Sequence, residues 1–313
     1  MQPSTTIKIC LKRYGTKRLT DYTEAVKRLY DTGYRVLDFS FTHQNHEDFI
    51  LRGDDWQNKV DRVANAAAAL GVTFSQSHVP FVKQSHLDGD PSFKLPGYEE
   101  YFFESMRRAY IASGMLGVKY AVSHPISFSE YNYEEMPTME RNHQLLDPYV
   151  ELGIKNNVGT AFENQLPSLD RKYPTRYCTH YEQLIRFVDS YNDPMVAICW
   201  DTGHANMMKF DQVRALRAIG HRLKALHIND NHYGTRDEHL LPFLGEIDWY
   251  RLIPVLAEIG YDGDMTYESQ KVGEAACGEM QKKFLSLTYE NGCTLVGIYE
   301  DALTKLKQDR KLL

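Results

Sequence analysis

The sequence predicts a single (β/α)8 TIM barrel with an additional C-terminal helix, and three observations predict it. Short β-branched or aromatic runs alternate with long helical patterns along the 313 residues. Glycine recurs just past the helical patterns, at Gly33, Gly71, Gly117, Gly153, Gly220 and Gly260, where the residue following a helix commonly takes a left-handed conformation. Six successive strand ends carry His, Asp or Glu. Helix, glycine, one or two residues and then strand is the connection of a repeated βα unit. Eight units in this length give about 39 residues each, the size this barrel uses.

The expected strands are residues 7–12, 36–41, 72–77, 120–123, 159–162, 196–200, 225–228 and 265–267. Helical patterns lie at 20–30, 54–70, 98–116, 178–191, 209–219 and 248–259. A doubly wound sheet is the rival architecture, but it seldom needs eight repeats, and no G-x-G-x-x-G follows the first strand. No Pro/Gly/Ser-rich linker interrupts the chain, so one domain is expected, with a barrel core over about 5–290. Residues 295–313 read as an extra amphipathic helix whose basic end, Lys305, Lys307, Arg310 and Lys311, is a solvated face.

Bulk properties exclude some classes of function. Net charge is −6 and the pI is near 6.1, whereas a surface that grips polyanions is basic; a nucleic-acid partner is therefore not expected. No apolar run reaches the ~18 residues that span a bilayer, and the first residues hold no apolar leader segment, so a cytoplasmic protein without a membrane partner is expected. The five cysteines form no C-x-x-C pair, which argues for buried free thiols and against a disulfide framework or thiolate zinc knuckle.

The chemistry lies at the C-terminal ends of the strands, where barrel active sites are built. The third strand runs into His78 and the fourth into His124. The fifth ends at Glu163-Asn164 and the sixth at Asp201-Thr-Gly-His204. The seventh reaches His227-Ile-Asn229-Asp230, and the eighth ends at Glu268. In a barrel these positions converge on one central point. One such residue is most often a satisfied loop side chain. Six at one level are harder to explain that way, because converging carboxylates repel each other and a cation removes the repulsion. His, Asp and Glu together suit Zn²⁺ or Mn²⁺, and no organic cofactor is expected.

With these residues in place, the sequence resembles the xylose isomerase-like barrel superfamily of sugar isomerases and epimerases, inosose-metabolising enzymes and endonuclease IV. The resemblance covers roughly residues 5–290, and its most specific stretches are Asp201-Thr-Gly-His204 and Asp237-Glu-His239-Leu-Leu-Pro-Phe-Leu-Gly245-Glu-Ile-Asp248-Trp249. It implies a metal held by Glu163, Asp201, His227 and Glu268, with His204 at the substrate. The endonuclease members use further ligands, which look like His78, His124, His204, Asp237 and His239. Here these five are taken as facing the substrate, with a second metal left open.

The implied chemistry agrees with the residues. Moving a carbonyl along a sugar, or inverting its α-carbon, requires removing a proton beside C=O, and a Lewis-acidic metal stabilises the enediolate. One carboxylate takes the proton and a second, on the other face, can return it. Glu163 and Glu268 come from the fifth and eighth strands, nearly across the ring. They are either that catalytic pair or ligands only, with the base elsewhere. The expected function is a metal-dependent isomerase or epimerase acting on a sugar, sugar phosphate or polyol-derived ketone. The alternatives are a keto-inositol-type dehydratase and a phosphodiesterase on abasic DNA. The acidic run Glu130, Glu134, Glu135 after the fourth strand argues against a DNA duplex. The expected partner is thus a small carbohydrate, and self-association into a homo-oligomer is left open.

Weaker expectations complete the reading. Asn164 and Asn229 hydrogen-bond hydroxyls or orient histidines. Trp200 and Trp249 pack in the core. Glu246 is a solvated loop residue or an outer-shell partner of Asp237 and His239, and His43 and His46 are surface residues or line the pocket. Arg171, Lys172 and Arg176 follow the fifth strand and could grip a phosphate or carboxylate, though exposed cations there are usually just solvated. The loops 83–97 and 127–137 are long enough to form lids or substrate walls.

Overall fold

The computed structural model describes residues 1–11, 19–82, 91–128, 134–167, 176–233, 236–269, 271, 273, 276 and 278–309. Its eight strands are β1 (Pro3–Thr6), β2 (Val36–Ser40), β3 (Thr73–His78), β4 (Tyr120–Ser123), β5 (Gly159–Glu163), β6 (Val196–Asp201), β7 (Leu223–His227) and β8 (Met265–Tyr267). All ladders are parallel, and the order is β7-β6-β5-β4-β3-β2-β1-β8. The ring closes at β7 and β8 through a parallel bridge between Ile228 and Tyr267. There the Ile228 N–H donates to the Thr266 carbonyl at 2.8 Å, and the Glu268 N–H donates to the Ile228 carbonyl at 2.9 Å. Closure therefore fixes the backbone on either side of His227 and Glu268.

Around the strands run α1 (Lys8–Leu11), α2 (Tyr22–Thr32), α3 (Trp56–Leu70), α4 (Tyr98–Met115), α5 (Glu135–Lys155), α6 (Tyr181–Ser190), α7 (Thr202–Met207), α8 (Gln212–Ile219), α9 (Trp249–Glu258) and α10 (Gly278–Asp309). The Asp21 side chain caps α2 and the Asp211 side chain caps α8, each accepting two backbone N–H groups. The main core fills the space between strands and helices, with Phe39, Phe74, Phe162, Phe187 and Trp249 all buried in it. Inside the barrel, Val122, Ala161, Ala197, Cys199 and Ala225 form a separate small cluster. The β1–β3 and β8 side is instead polar: Ser4, Asp38, Gln76 and Thr266 are all buried. Gln76 crosses the interior, its Nε2 donating to the Leu226 carbonyl on β7 at 3.2 Å.

Three elements differ from expectation. The first strand is Pro3–Thr6, and residues 7–12 are not a strand: Lys8–Leu11 is a short helix. Ile7, Ile9, Cys10 and Leu11 are fully buried, so their apolar run mimics a strand, while the true strand pairs with β2 through Ser4, Thr5 and Thr6. Helix α5 was not anticipated, since Pro148 interrupts its pattern. Gly153 lies inside it and not after it. A Cβ there would meet the Val158 carbonyl at 2.8 Å and the Tyr110 ring at 2.9 Å, so this glycine serves a close approach. The C-terminal helix is present and begins at Gly278, well before residue 295, packing on α2, α9, β1 and β8 as one continuous rod. Among the described residues, no helix is long and apolar enough to cross a membrane.

Candidate metal centre

Glu163, Asp201, His227 and Glu268 come together at the C-terminal end of the barrel. Each offers a ligand atom, and these atoms lie within 4.8 Å of one another. All four residues are buried. Three are the last residues of β5, β6 and β7, and Glu268 follows the last residue of β8. A second group, His78, His124 and Glu163, meets the same distance criterion, so Glu163 belongs to both.

The Asp-Thr-Gly-His element is folded to hold Asp201. Its Oδ1 caps α7 by accepting from the His204 N–H at 2.7 Å, and its Oδ2 accepts from Asn229 Nδ2 at 2.9 Å. Asn164 brackets its backbone, accepting from the Asp201 N–H at 2.6 Å and donating to the Asp201 carbonyl at 2.9 Å. Thr202 ties the element to β7, its hydroxyl donating to the Asn229 carbonyl at 2.7 Å. A Cβ on Gly203 would collide with the Asn229 side chain, which explains the glycine. The Asn164 and Asn229 side chains thus orient Asp201.

The histidines have defined roles in the hydrogen-bond network. His78 donates from Nδ1 to the Val79 carbonyl at 2.8 Å, which leaves its Nε2 as an acceptor facing Glu163 Oε2 at 3.3 Å. His124 donates from Nε2 to the same oxygen at 2.9 Å. His204 donates from Nδ1 to the Asn164 carbonyl at 2.9 Å. His227 lies parallel to His78, ring centroids 5.4 Å apart, with Nδ1 3.2 Å from Glu163 Oε1. Yet both ring nitrogens of His227 are buried without a hydrogen-bond partner. A buried, unsatisfied imidazole is costly. Three carboxylates beside it supply the oxygen donors that Zn²⁺ or Mn²⁺ takes together with imidazole. The residues present therefore fit a divalent metal, which would give His227 its missing partner.

The electrostatics are divided among the acids. Burial pushes Asp201 up to about 6, and the Glu163 and Glu268 carboxylates add to the shift against His204 and His227. Burial also opposes ionisation of Glu163, but His227 and His124 outweigh it and hold the carboxyl well below its usual range. At Glu268 the same opposition is overcome by Lys8, His227 and His239. Lys8 Nζ donates to Glu268 Oε1 at 2.8 Å. Burial lowers His124 to about 4 despite the neighbouring Glu163.

The second motif stretch of the sequence, from Asp237 to Trp249, forms a loop around Asp230. Asp230 accepts from the Ile247 N–H at 3.2 Å and from Trp249 Nε1 at 2.8 Å, and a Cβ on Gly245 would collide with its carboxylate. This brings Asp237 and His239 to the mouth. His239, at φ 51°, donates from Nδ1 to the Glu268 carbonyl at 2.5 Å and from Nε2 to Asp237 Oδ2 at 2.7 Å. Asp237 Oδ1 is left buried and unpartnered, and Lys271 Nζ reaches the Asp237 carbonyl.

Other expectations resolve simply. Trp200 and Trp249 are buried, and Glu246 is exposed, accepting from the Tyr233 N–H at 2.9 Å. His43 is buried against a half-buried His46, so neither is simply solvated. Cys10, Cys178 and Cys199 are buried free thiols, whereas Cys293 is exposed. Arg171, Lys172, Glu130, His86, Cys277, Arg310, Lys311 and residues 83–90 and 129–133 of the two long loops lie outside the described residues.

Sequence reasoning missed Lys8 and Asp38. Lys8 was hidden in the misplaced first strand. Asp38 is a buried acid on β2, held up in pKa by burial, with His227 and His78 pulling the other way. Its signal was a lone acid between Leu37 and Phe39, at the parity that faces the barrel interior.

The family described as xylose isomerase-like TIM barrel matches residues 26–284. An uncharacterised protein of Sinorhizobium fredii is 31% identical over 116 residues, 37% of this chain and 35% of that protein. A ketose 3-epimerase of Arthrobacter globiformis is 26% identical over 98 residues, 31% of this chain and 32% of that protein. The chain thus spans about a third of the length of these curated relatives. In three dimensions it is similar to the IOLI protein, whose crystal structure holds a zinc atom: the TM-score is 0.69 and the identity 16%, over 97% of this chain and 99% of that one. That likeness is one of fold.

Proposed function

The chain belongs to the xylose isomerase-like TIM barrel family, and from that premise we propose that it is a metal-dependent isomerase or epimerase of a small sugar or polyol-derived ketone. One observation carries the reading: four buried ligand atoms from Glu163, Asp201, His227 and Glu268 lie within 4.8 Å of one another, and the ring nitrogens of His227 have no hydrogen-bond partner. The epimerase among the relatives, and the zinc in the structural neighbour, support it. A divalent metal at this site polarises a ketone and its neighbouring hydroxyl when bound.

The chain's own residues do the rest. Glu163 and Glu268 are both held ionised by neighbouring cationic or imidazole groups, so each can accept the proton beside the carbonyl from its own face. Lys8 occupies Glu268 Oε1, leaving Oε2 toward the centre. Asn164 and Asn229 fix Asp201. His204, held by the Asn164 carbonyl, and the Asp237–His239 pair line the mouth, where they orient substrate hydroxyls. His124 steadies Glu163 Oε2.

The test is incubation in deuterated water with a panel of keto sugars, alongside elemental analysis of the purified protein. The expected result is one zinc or manganese per chain and deuterium at a single carbon beside the carbonyl. A second reading, phosphodiester hydrolysis, draws on the His78–His124–Glu163 group. More than one metal per chain, no exchange with any ketone and cleavage of an abasic oligonucleotide would replace the first reading with it.

A further inference from the structure

Arg176 sits at the end of the loop after β5, on the wall of a cleft that it shares with His124, Gln165, Phe81 and Met106. It is half-buried, and its guanidinium Nε is shielded from solvent without a hydrogen-bond partner. Among the described residues no carboxylate lies within ion-pair distance of it; Asp237 acts on it only from farther off. The other cations near the centre are engaged. Lys8 pairs with Glu268, and Lys271 with Asp237. The rest of the cleft is largely apolar, with Phe102, Ile126 and Leu146. A partly desolvated guanidinium without a counter-ion is costly, and its five-donor fork suits carboxylate or phosphate oxygens.

We propose that Arg176 is the anion-binding residue of the substrate site, and that the substrate carries a carboxylate or phosphate at the end remote from the metal-binding oxygens. The proposal rests on the sugar reading above and narrows it to acidic sugars or sugar phosphates.

The test compares binding of paired charged and neutral probes to the metal-loaded protein by calorimetry: D-gluconate against D-glucitol, and D-fructose 6-phosphate against D-fructose. The wild type is expected to prefer one anionic probe by about 10- to 100-fold, the scale of a hydrogen bond to a charged partner. Which pair shows it tells carboxylate from phosphate. Arg176→Gln is expected to abolish that preference while leaving the neutral probe's affinity within about twofold, and Arg176→Lys to restore part of it. No preference in the wild type, or one unchanged in Arg176→Gln, overturns the proposal. Its failure is separable from failure of the isomerase reading. Deuterium exchange into a neutral ketose without anion preference sinks only the anion site. An Arg176-dependent preference with no exchange into any ketone sinks only the isomerase.

Discussion

Glu163 is the residue on which the site turns, because its two oxygens serve different neighbours. Oε2 meets His124 and His78, and Oε1 faces His227 and His204. Glu163→Gln keeps the shape and removes the negative charge. Deuterium exchange is expected to fall by about 10²–10⁴-fold, the scale of losing a general acid or base. Elemental analysis of the same variant separates proton transfer from metal loss: retained metal with slow exchange assigns the base, and lost metal makes Glu163 a ligand foremost. Lys8 gives a complementary variant. Lys8→Met strips Glu268 of its 2.8 Å partner, and the metal affinity is expected to weaken by about 10- to 100-fold, as for other outer-shell contacts, read by competition with a chromophoric chelator. An unchanged affinity makes that ion pair incidental. His124 gives a pH dependence. Its folded pKa is lowered to about 4, below that of the unfolded chain, so the unfolded state gains the proton first. The stability it contributes is full above about pH 6.5 and is lost as pH falls toward about 4. Urea unfolding of wild type and His124→Gln across that window should show the wild type declining more steeply.

The elements around the site act as its braces. Asn142 on α5 is fully buried and grips the segment after β4: its Oδ1 accepts from the Ile126 N–H at 2.7 Å, and its Nδ2 donates to the Ile126 and Thr138 carbonyls at 2.8 Å. That grip sets the chain two residues beyond His124. Asn142→Leu leaves two backbone groups of Ile126 buried and unsatisfied, with an expected cost of about 1–3 kcal/mol for a group stranded in this way, measured by urea unfolding. A loss within experimental error would show the segment held by Pro125 and its apolar neighbours instead. This brace also shows what the sequence conceals. The ends of β3 to β8 were legible because each short strand pattern runs into one His, Asp or Glu, and strand alternation then aims that side chain inward. Strand β1 was not, because its Ser4-Thr5-Thr6 run has no apolar signal and the buried stretch after it does. Lys8 was lost with it. Asn142 and Asn229 act on residues 16 and 28 positions away, through a packing that no local pattern encodes. Asp38 was readable in principle, as an acid inside an apolar strand.

At the scale of the whole molecule, the barrel brings into one buried cluster three carboxylates that the unfolded chain keeps apart, and a metal bound there couples to folding. The closing bridge at β7 and β8 lies directly beside His227 and Glu268, so a metal held there would bear on the seam of the ring itself. A metal that binds only the folded chain stabilises it by about 2.7 kcal/mol at a hundred times its Kd. Protons compete for the same oxygens. Asp201, pushed up to about 6 by burial and the adjoining carboxylates, is protonated at pH 5 and ionised at pH 7.5 in the metal-free fold. A raised carboxyl favours the fold at low pH, and that contribution is lost as pH rises from its unfolded value, about 3.9, through about 6. The metal-free protein therefore forfeits this part of its stability by pH 7.5, where the ionised cluster would bind a cation best. Unfolding midpoints measured with metal and after chelation should differ more at pH 7.5 than at pH 5. His227→Ala should shrink the difference at both, since it removes the imidazole whose nitrogens have no other partner. Equal midpoints with and without metal at pH 7.5 would place the cation elsewhere and leave Glu163, Asp201 and Glu268 as an acidic cluster held together by His227, His124, His204 and Lys8 alone.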